Sequence, residues 1–275
     1  MHNRVILVLI DGLNYGTALS CMGYLQHLVE QEVAQLYQVK TELPTSSRPL
    51  YETILTGTPP HIHGIVNNKM ARLSREESLF SLARANGLTT AAAAYYWISE
   101  LYNRAPFDPV RDREQSDTTL TIQQGKFYFD DAYPDSHLFY DGEILRIKYN
   151  PDFLLIHPMG MDYAGHLYGS NSREYNQRAI ETDGLLAMLI PRWLEEDYQV
   201  IITSDHGMTS QAIHGGTGEE ERIVPLWTLG SSFKKVTPRG QVPQLGIAPA
   251  ICKLLNIPPT KKMIDYRFPG QTFCE

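Results

Sequence analysis

Cysteine is scarce in this sequence. The three cysteines, Cys21, Cys252 and Cys274, are far apart, odd in number and without a CxxC pair. This pattern argues against a disulfide framework and against a cysteine-based zinc site. We interpret two of them as buried thiols and the third as a residue near the tail of the chain.

Basic residues and long apolar runs are also scarce. Lysine and arginine number 24 against 31 aspartates and glutamates, for a net charge of -7. An acidic surface argues against binding of nucleic-acid polymers or anionic membranes, although a bound metal ion would still let a pocket accept an anionic substrate. The apolar run at residues 5–10 is too short to span a membrane, and no cleavage site follows it. We therefore expect no membrane span, no signal peptide and a cytoplasmic location.

The residues that are present suit one large core. The chain has 275 residues, 43% of them apolar, which is ordinary for a single domain. Short aliphatic runs at residues 5–10, 153–156 and 200–203 are typical of strands buried on both faces. Apolar residues at helical spacing lie between them, at 17–33, 76–86 and 175–194. This alternation predicts a single three-layer α/β/α domain with a mostly parallel central sheet.

Other segments are less regular. Residues 89–96 and 222–229 are further predicted strands, and Pro225 favours an edge or a bend in the second. A final helix is predicted at 244–255. Residues 104–150 are rich in Asp, Pro and Tyr and lack a clear strand period. We interpret them as an insertion or lid that packs over the sheet.

Acidic residues follow three of the predicted strands. Asp11 ends the first run, Asp162 follows the run at 153–156, and Asp205 ends the run at 200–203. Ligands of open α/β sheets bind outside the carboxyl ends of the strands, so these side chains should converge. Three carboxylates in one cleft repel one another unless they are protonated or bind a cation.

Histidines accompany the aspartates. His166 and His206 lie close to Asp162 and Asp205 in sequence, and His214 precedes two glycines. Imidazole and carboxylate together suit zinc or manganese. Each signal has a plain alternative. A strand-end Asp can cap a helix, and Asp-His-Gly is a common turn. The Asp and His of DxxxH can be solvent-exposed neighbours on a helix surface, although the glycines at 160 and 165 favour a loop there. It is their joint occurrence that indicates a metal site.

A hydroxyl-rich segment, PTSSRPLYETILTG, occupies residues 44–57. Pro49 suits the first turn of a short helix, and a hydroxyl just before that turn faces unpaired N–H groups and the positive end of the helix dipole. This position suits an alkoxide and a bound phosphate. On local sequence alone, a plain N-cap role for the serine is the stronger interpretation.

The motifs occur in the order VLIDG, PTSSRPLYETILTG, HGI, DYAGH, SDHGM and HGG. This order resembles the alkaline phosphatase superfamily, and in particular its type I phosphodiesterase and nucleotide pyrophosphatase branch. Residues 87–97 and 247–259 are also similar to that branch, so residues 104–150 are the main part not covered. The resemblance implies an alkaline phosphatase-like fold and a metal-dependent phosphoric ester hydrolase that acts on a small phosphorylated substrate through a phosphoserine.

The resemblance also implies a role for particular residues. Ser47 would be the nucleophile. Two divalent metal ions are implied, most simply Zn²⁺ with Mn²⁺ as the alternative, one held by Asp11, Ser47, Asp205 and His206 and the other by Asp162, His166 and His214. Candidate substrate contacts are Tyr51, Asn68 and Trp97, with core packing as the alternative for the aromatic residues.

Two departures from the branch concern the substrate. Leu50 stands where many nucleotide pyrophosphatases have asparagine, and Trp97 is followed by Ile98 and Ser99 instead of Pro-Gly. Nucleotide specificity is therefore open. A phosphonate hydrolase, a phosphomonoesterase or a phosphoryl transferase are alternatives on the same site, and a catalytically idle metal- or phosphate-binding protein is the alternative outside enzymes.

Overall fold

The computed structural model describes residues 2–236 and 240–272 and is built around a nine-stranded sheet. The strands, in chain order, are β1 (Arg4–Ile10), β2 (Ala34–Lys40), β3 (Thr90–Tyr95), β4 (Glu114–Ser116), β5 (Gln124–Tyr128), β6 (Phe153–Ile156), β7 (Tyr198–Ser204), β8 (Ile223–Leu229) and β9 (Val242–Pro243). The helices are α1 (Tyr15–Cys21), α2 (Gly23–Glu30), α3 (Ser47–Thr56), α4 (Pro60–His63), α5 (Leu79–Ala85), α6 (Tyr96–Tyr102), α7 (Pro109–Asp112), α8 (Asp135–Tyr149), α9 (Gly160–Tyr168), α10 (Arg173–Glu195), α11 (Glu219–Arg222) and α12 (Ile247–Leu254). A 3₁₀ turn, Gln244–Gly246, precedes α12.

The sheet is mostly parallel, as predicted. Its order is β4-β5-β3-β6-β1-β7-β8-β2-β9. Strand β1 pairs in parallel with β6 and β7, and β3 pairs in parallel with β5 and β6. Strand β8 runs antiparallel to both β7 and β2, and β4 runs antiparallel to β5. The carboxyl ends of β1, β6 and β7 therefore meet at one edge.

Helices cover both faces of the sheet. Alternate side chains of β1 divide between two cores: Val5 and Leu7 lie in one, and Ile6 and Val8 in the other. Helices α3, α5 and α12 contribute to the first core, and α8, α9 and α10 to the second. This burial on both sides explains the continuous apolar runs within β1, β6 and β7. The predicted three-layer arrangement is confirmed.

Strand β8 corrects one expectation. Pro225 does not place it at an edge, because β8 lies between β7 and β2. Its pairing with β7 ends at Leu226, so Pro225 lies one residue beyond that ladder. The Pro225 carbonyl instead accepts a hydrogen bond from the Thr203 hydroxyl at 2.8 Å. The missing proline N–H therefore removes no hydrogen bond from the pairing with β7.

Residues 104–150 contain strands that were not predicted. Strands β4 and β5 extend the sheet, while α8 packs over it against β3 and β6. The strand period is hidden because β5 is short and opens with Gln-Gly-Lys, and β4 is the polar tripeptide Glu-Gln-Ser. The helix predicted at 17–33 is also interrupted, by Met22 between α1 and α2.

The thiols are not all buried. Cys252 is a buried free thiol, whereas Cys21 is only partly buried, and Cys274 lies outside the described residues. Across residues 2–236 and 240–272, every helix is too short or too polar to cross a bilayer.

Candidate active site

Asp11 and Asp205 meet at the carboxyl edge of the sheet. Asp11 follows β1 directly and Asp205 follows β7, and both side chains are fully buried. His206 lies between them, with its Nε2 atom 3.5 Å from Asp11 Oδ1 and 3.2 Å from Asp205 Oδ2. Neither of these two carboxylate oxygens has a hydrogen-bond partner. The three side chains form a group whose ligand atoms all lie within 4.8 Å of one another.

A second group surrounds Asp162. Its Oδ2 atom is 3.4 Å from Nε2 of His166, and its Oδ1 atom is 3.6 Å from Nε2 of His214. The rings of His206 and His214 stack with centroids 3.8 Å apart. Asp162, His206 and His214 also place their ligand atoms within 4.8 Å of one another. His206 therefore joins the two groups into one continuous site.

The segment that carries Asp162 and His166 is helix α9, not the predicted loop. The i,i+4 spacing places both side chains on the same helix face. The glycines that suggested a loop serve close packing: a Cβ at Gly160 would lie 2.2 Å from Asp135 Oδ2, and one at Gly165 would lie 2.7 Å from the Met208 side chain.

The backbone fixes the tautomer of three histidines. Nδ1 lies next to a backbone carbonyl in each: Gly207 O at 2.9 Å for His206, Ala212 O at 3.2 Å for His166, and Thr45 O at 2.7 Å for His214. A carbonyl accepts only, so each Nδ1 carries the proton and donates. Each Nε2 atom therefore presents a lone pair to the carboxylates, which is the form of imidazole that binds metal ions.

The charges and lone pairs of this site suit a divalent cation. The Nε2 atoms of His166 and His214 are only 3.1 Å apart, and two lone pairs at that distance repel unless a cation lies beside them. Asp162 Oδ1 is a third buried carboxylate oxygen without a partner. Buried carboxylates and neutral imidazoles of this kind are the ligands of Zn²⁺ and related ions.

The pKa values of the site follow from burial and mutual repulsion. Burial and then the charge of Asp11 raise the pKa values of Asp162 and Asp205 well above their usual range. Burial also acts to raise the pKa of Asp11, but the nearby His157 and His206 imidazoles lower it on balance. Burial lowers the pKa of His206 to about 3 and also lowers that of His214. Because their pKa values are lowered, His206 and His214 are neutral at physiological pH.

Ser47 is the first residue of α3, and Ser46 takes the N-cap position. The Ser46 hydroxyl does not cap the helix but donates to Asn68 Oδ1 at 3.0 Å. The buried Ser47 hydroxyl lies 3.0 Å from His206 Nε2 and donates to its lone pair. The plain N-cap interpretation of Ser47 is therefore wrong, because its side chain faces the group of Asp11, Asp205 and His206.

The three predicted substrate contacts have protein partners. Tyr51 is fully buried, and its hydroxyl donates to Asp11 Oδ2, which favours a role in holding Asp11 over contact with substrate. Asn68 is half-buried, and its Oδ1 atom accepts the Arg48 N–H at 3.0 Å, so it caps α3 from a distant loop. Trp97 is half-buried, with the Arg48 guanidinium 4.6 Å above its ring. Its contact with substrate stays a prediction.

One residue at the site was missed. His157 directly follows β6, is fully buried, and places Nε2 3.5 Å from Asp11 Oδ2. The sequence held a signal for it, because His157 directly follows a buried parallel strand, as Asp11 and Asp205 do.

The segments that build this site are also the ones that match a known family. A family model described as type I phosphodiesterase / nucleotide pyrophosphatase matches residues 5–226. The chain belongs to this family. The match covers most of the chain and includes every residue that the sequence places in the two metal groups, and it confirms the resemblance to this branch of the alkaline phosphatase superfamily.

Individual relatives agree with this membership. The human protein named GPI ethanolamine phosphate transferase 2, catalytic subunit, is 23% identical over 96% of this chain and 27% of its own length. The mouse GPI ethanolamine phosphate transferase 3, catalytic subunit, is 25% identical over 93% of this chain and 24% of its own length. The chain thus spans about a quarter of the length of these curated relatives.

Solved structures show the same fold. Human ectonucleotide pyrophosphatase / phosphodiesterase 5 superposes with a TM-score of 0.73 at 15% sequence identity, over 97% of this chain and 98% of that one.

Proposed function

We propose that this chain is a metal-dependent enzyme that cleaves a small phosphoric ester through a phosphoserine at Ser47. One observation carries the proposal: the Ser47 hydroxyl lies at the start of α3, 3.0 Å from His206 Nε2 and beside a buried group of carboxylates with unpaired oxygens. Ser47 is the first helical residue and not the N-cap, and its hydroxyl contacts His206 rather than the N–H groups of its own helix.

The ligand sets proposed for the two divalent cations follow the sequence prediction. Zn²⁺, or Mn²⁺ as the alternative, would be held by Asp11, Ser47, Asp205 and His206 at one position and by Asp162, His166 and His214 at the other. When bound, these cations supply an activated serine oxygen and neutralise charge on the phosphoryl group.

The chain's own residues supply the rest of the chemistry. Ser47 Oγ attacks phosphorus, so that its bond to phosphorus forms while the bond to the ester oxygen breaks. The proton of the serine hydroxyl ends on that oxygen, which leaves as an alcohol. The unpaired N–H groups at the start of α3 and the helix dipole favour the negative phosphoryl oxygens there. Water then cleaves the phosphoserine and restores the serine. The net reaction consumes one water for each ester bond broken.

A transferase is the second candidate. Its support is that curated relatives are named ethanolamine phosphate transferases. The chemistry is the same up to the phosphoserine, and an alcohol in place of water then accepts the phosphoryl group.

The proposal of a small phosphorylated substrate is supported by a murine ectonucleotide pyrophosphatase / phosphodiesterase 5 solved with AMP. That structure has a TM-score of 0.72 at 13% identity, over 94% of this chain and 96% of that one. The cytoplasmic location stays a prediction.

A substrate panel tests both candidates. Aryl phosphate monoesters, diesters, phosphonates and sulfates are assayed with added Zn²⁺ or Mn²⁺, and Ser47→Ala serves as the control. We expect diester cleavage that the control lacks. Adding ethanolamine or glycerol separates the two candidates: a transferase forms the new ester, whereas a hydrolase gives only the free phosphorylated product. Absence of turnover with every substrate and both metals would contradict the proposal and favour a binding protein.

A further inference from the structure

His157 differs from the other histidines of the site in its backbone partner. Its Nδ1 atom accepts a hydrogen bond from the Tyr95 N–H at 3.4 Å. His166, His206 and His214 instead donate from Nδ1 to carbonyls. An imidazole whose Nδ1 accepts carries its proton on Nε2 when neutral. His157 is therefore fixed in the opposite tautomer and presents an N–H at Nε2.

This N–H lies beside the carboxylate of Asp11. His157 is fully buried, its Nε2 atom has no hydrogen-bond partner, and it lies 3.5 Å from Asp11 Oδ2. The ring packs edge-on against Tyr51 with centroids 4.6 Å apart, and the backbone carbonyl of His157 accepts a hydrogen bond from the Tyr128 hydroxyl at 2.8 Å. A ring fixed in this way has little freedom to turn elsewhere.

The two oxygens of Asp11 consequently have different environments. Oδ2 accepts a hydrogen bond from the Tyr51 hydroxyl and lies near His157 Nε2. Oδ1 is 3.5 Å from His206 Nε2 and has no hydrogen-bond partner. Donors on one oxygen leave the other free and fix its direction, which is how supporting residues orient carboxylate ligands of metal ions.

We propose that His157 is a positioning residue that holds Asp11 through its Nε2–H, so that Asp11 Oδ1 points to the cation shared with Asp205 and His206. This inference rests on the proposed metal-dependent function. His157 is then a hydrogen-bond donor to the proposed metal ligand Asp11 and not a metal ligand itself. Tyr51, whose hydroxyl donates to the same Asp11 oxygen, has the same role.

A matched pair of variants tests the role of Nε2. His157→Gln keeps an N–H donor near the Nε2 position, whereas His157→Asn keeps only a short polar group near Nδ1. Zn²⁺ affinity is measured by competition with a chromophoric chelator, and thermal unfolding of the metal-free proteins checks folding. We expect His157→Asn to weaken Zn²⁺ binding about 10- to 100-fold, in line with the loss of other supporting residues, and His157→Gln to stay near the wild-type affinity. Tyr51→Phe should weaken binding in the same direction as His157→Asn.

Each outcome has a distinct meaning. Wild-type affinity in His157→Asn, or an equal loss in both variants, would overturn the positioning role while leaving the proposed function intact. If His157→Asn does not fold, His157→Phe removes the same donor while an aromatic ring stays in the pocket, and it is compared with His157→Gln in the same way. A wild-type chain that binds neither Zn²⁺ nor Mn²⁺ would overturn the proposed function itself.

Discussion

Gly12 links the two halves of the site, and its replacement by alanine is the sharpest test of that link. The residue has a φ of +74°, and a Cβ built on it would lie 2.8 Å from Asp162 Cα and 3.1 Å from Asp162 N. The loop after β1, which carries Asp11, therefore packs backbone against backbone on α9, which carries Asp162. Backbone atoms cannot move aside as a flexible side chain can.

Gly87 provides a matched control. It has nearly the same conformation, with a φ of +77°, but a Cβ there would meet nothing within 4 Å. In this left-handed region an alanine costs about 1–2 kcal/mol, partly offset by about 0.4–1 kcal/mol from the stiffer unfolded chain. We expect Gly87→Ala to lower the free energy of unfolding by roughly 1 kcal/mol.

Gly12→Ala carries the same backbone strain together with the contact on Asp162. Overpacking of a tight contact adds about 1–3 kcal/mol, so we expect a total loss of roughly 2–4 kcal/mol. The added methyl group also pushes Asp11 away from Asp162, so Zn²⁺ content should fall in Gly12→Ala and not in Gly87→Ala.

Urea unfolding of the metal-free proteins measures the two free energies, and elemental analysis measures the metal. Equal losses of stability in the two variants, with equal metal content, would refute the idea that this contact sets the spacing of the two groups.

Three further predictions concern the same region. Ser47→Ala should abolish turnover while the other ligands retain metal, so normal activity would contradict the nucleophile assignment. Asp205→Asn should lose metal by elemental analysis, and unchanged content would contradict the ligand set. Burial raises the pKa of Glu52 from 4.5 to about 7, so the folded state binds this proton more tightly than the unfolded chain. The contribution of Glu52 to the free energy of unfolding is fully present below pH 4.5. It falls by about 3 kcal/mol as the pH rises to 7. The difference between wild type and Glu52→Gln in urea unfolding from pH 4 to 8 should show this decline, and a flat difference would refute it.

The fold could be predicted where burial is complete. Strands β1, β6 and β7 lie in the middle of the sheet with helices on both faces, so each contains a continuous apolar run that is visible in the sequence. Strands β4 and β5 lie at the end of the sheet, where Gln124 and Lys126 are only partly buried. Polar residues are tolerated there, so a short strand leaves no recognisable period.

The candidate site could be predicted where topology alone brings residues together. Asp11 and Asp205 each follow a parallel strand, and the register pairs Ile10 with Ser204. Ser47 could not be assigned from its own segment. Its hydroxyl contacts His206, which is distant in sequence. The start of α3 is capped from another loop by Asn68, which accepts the Arg48 N–H and the Ser46 hydroxyl.

The roles of the four histidines show why residue type and position together are not sufficient. All four lie at the same edge of the sheet, and His157 lies as near to Asp11 as His206 does, at 3.5 Å. The difference is the backbone group at Nδ1: a carbonyl exposes a lone pair at Nε2, and an N–H donor exposes a proton there. For His157, His166 and His214 that group belongs to Tyr95, Ala212 and Thr45, which are distant in sequence. The proposed division of the imidazoles into metal ligands and a supporting residue therefore depends on the folded backbone, and exchanging these backbone partners would exchange the proposed roles.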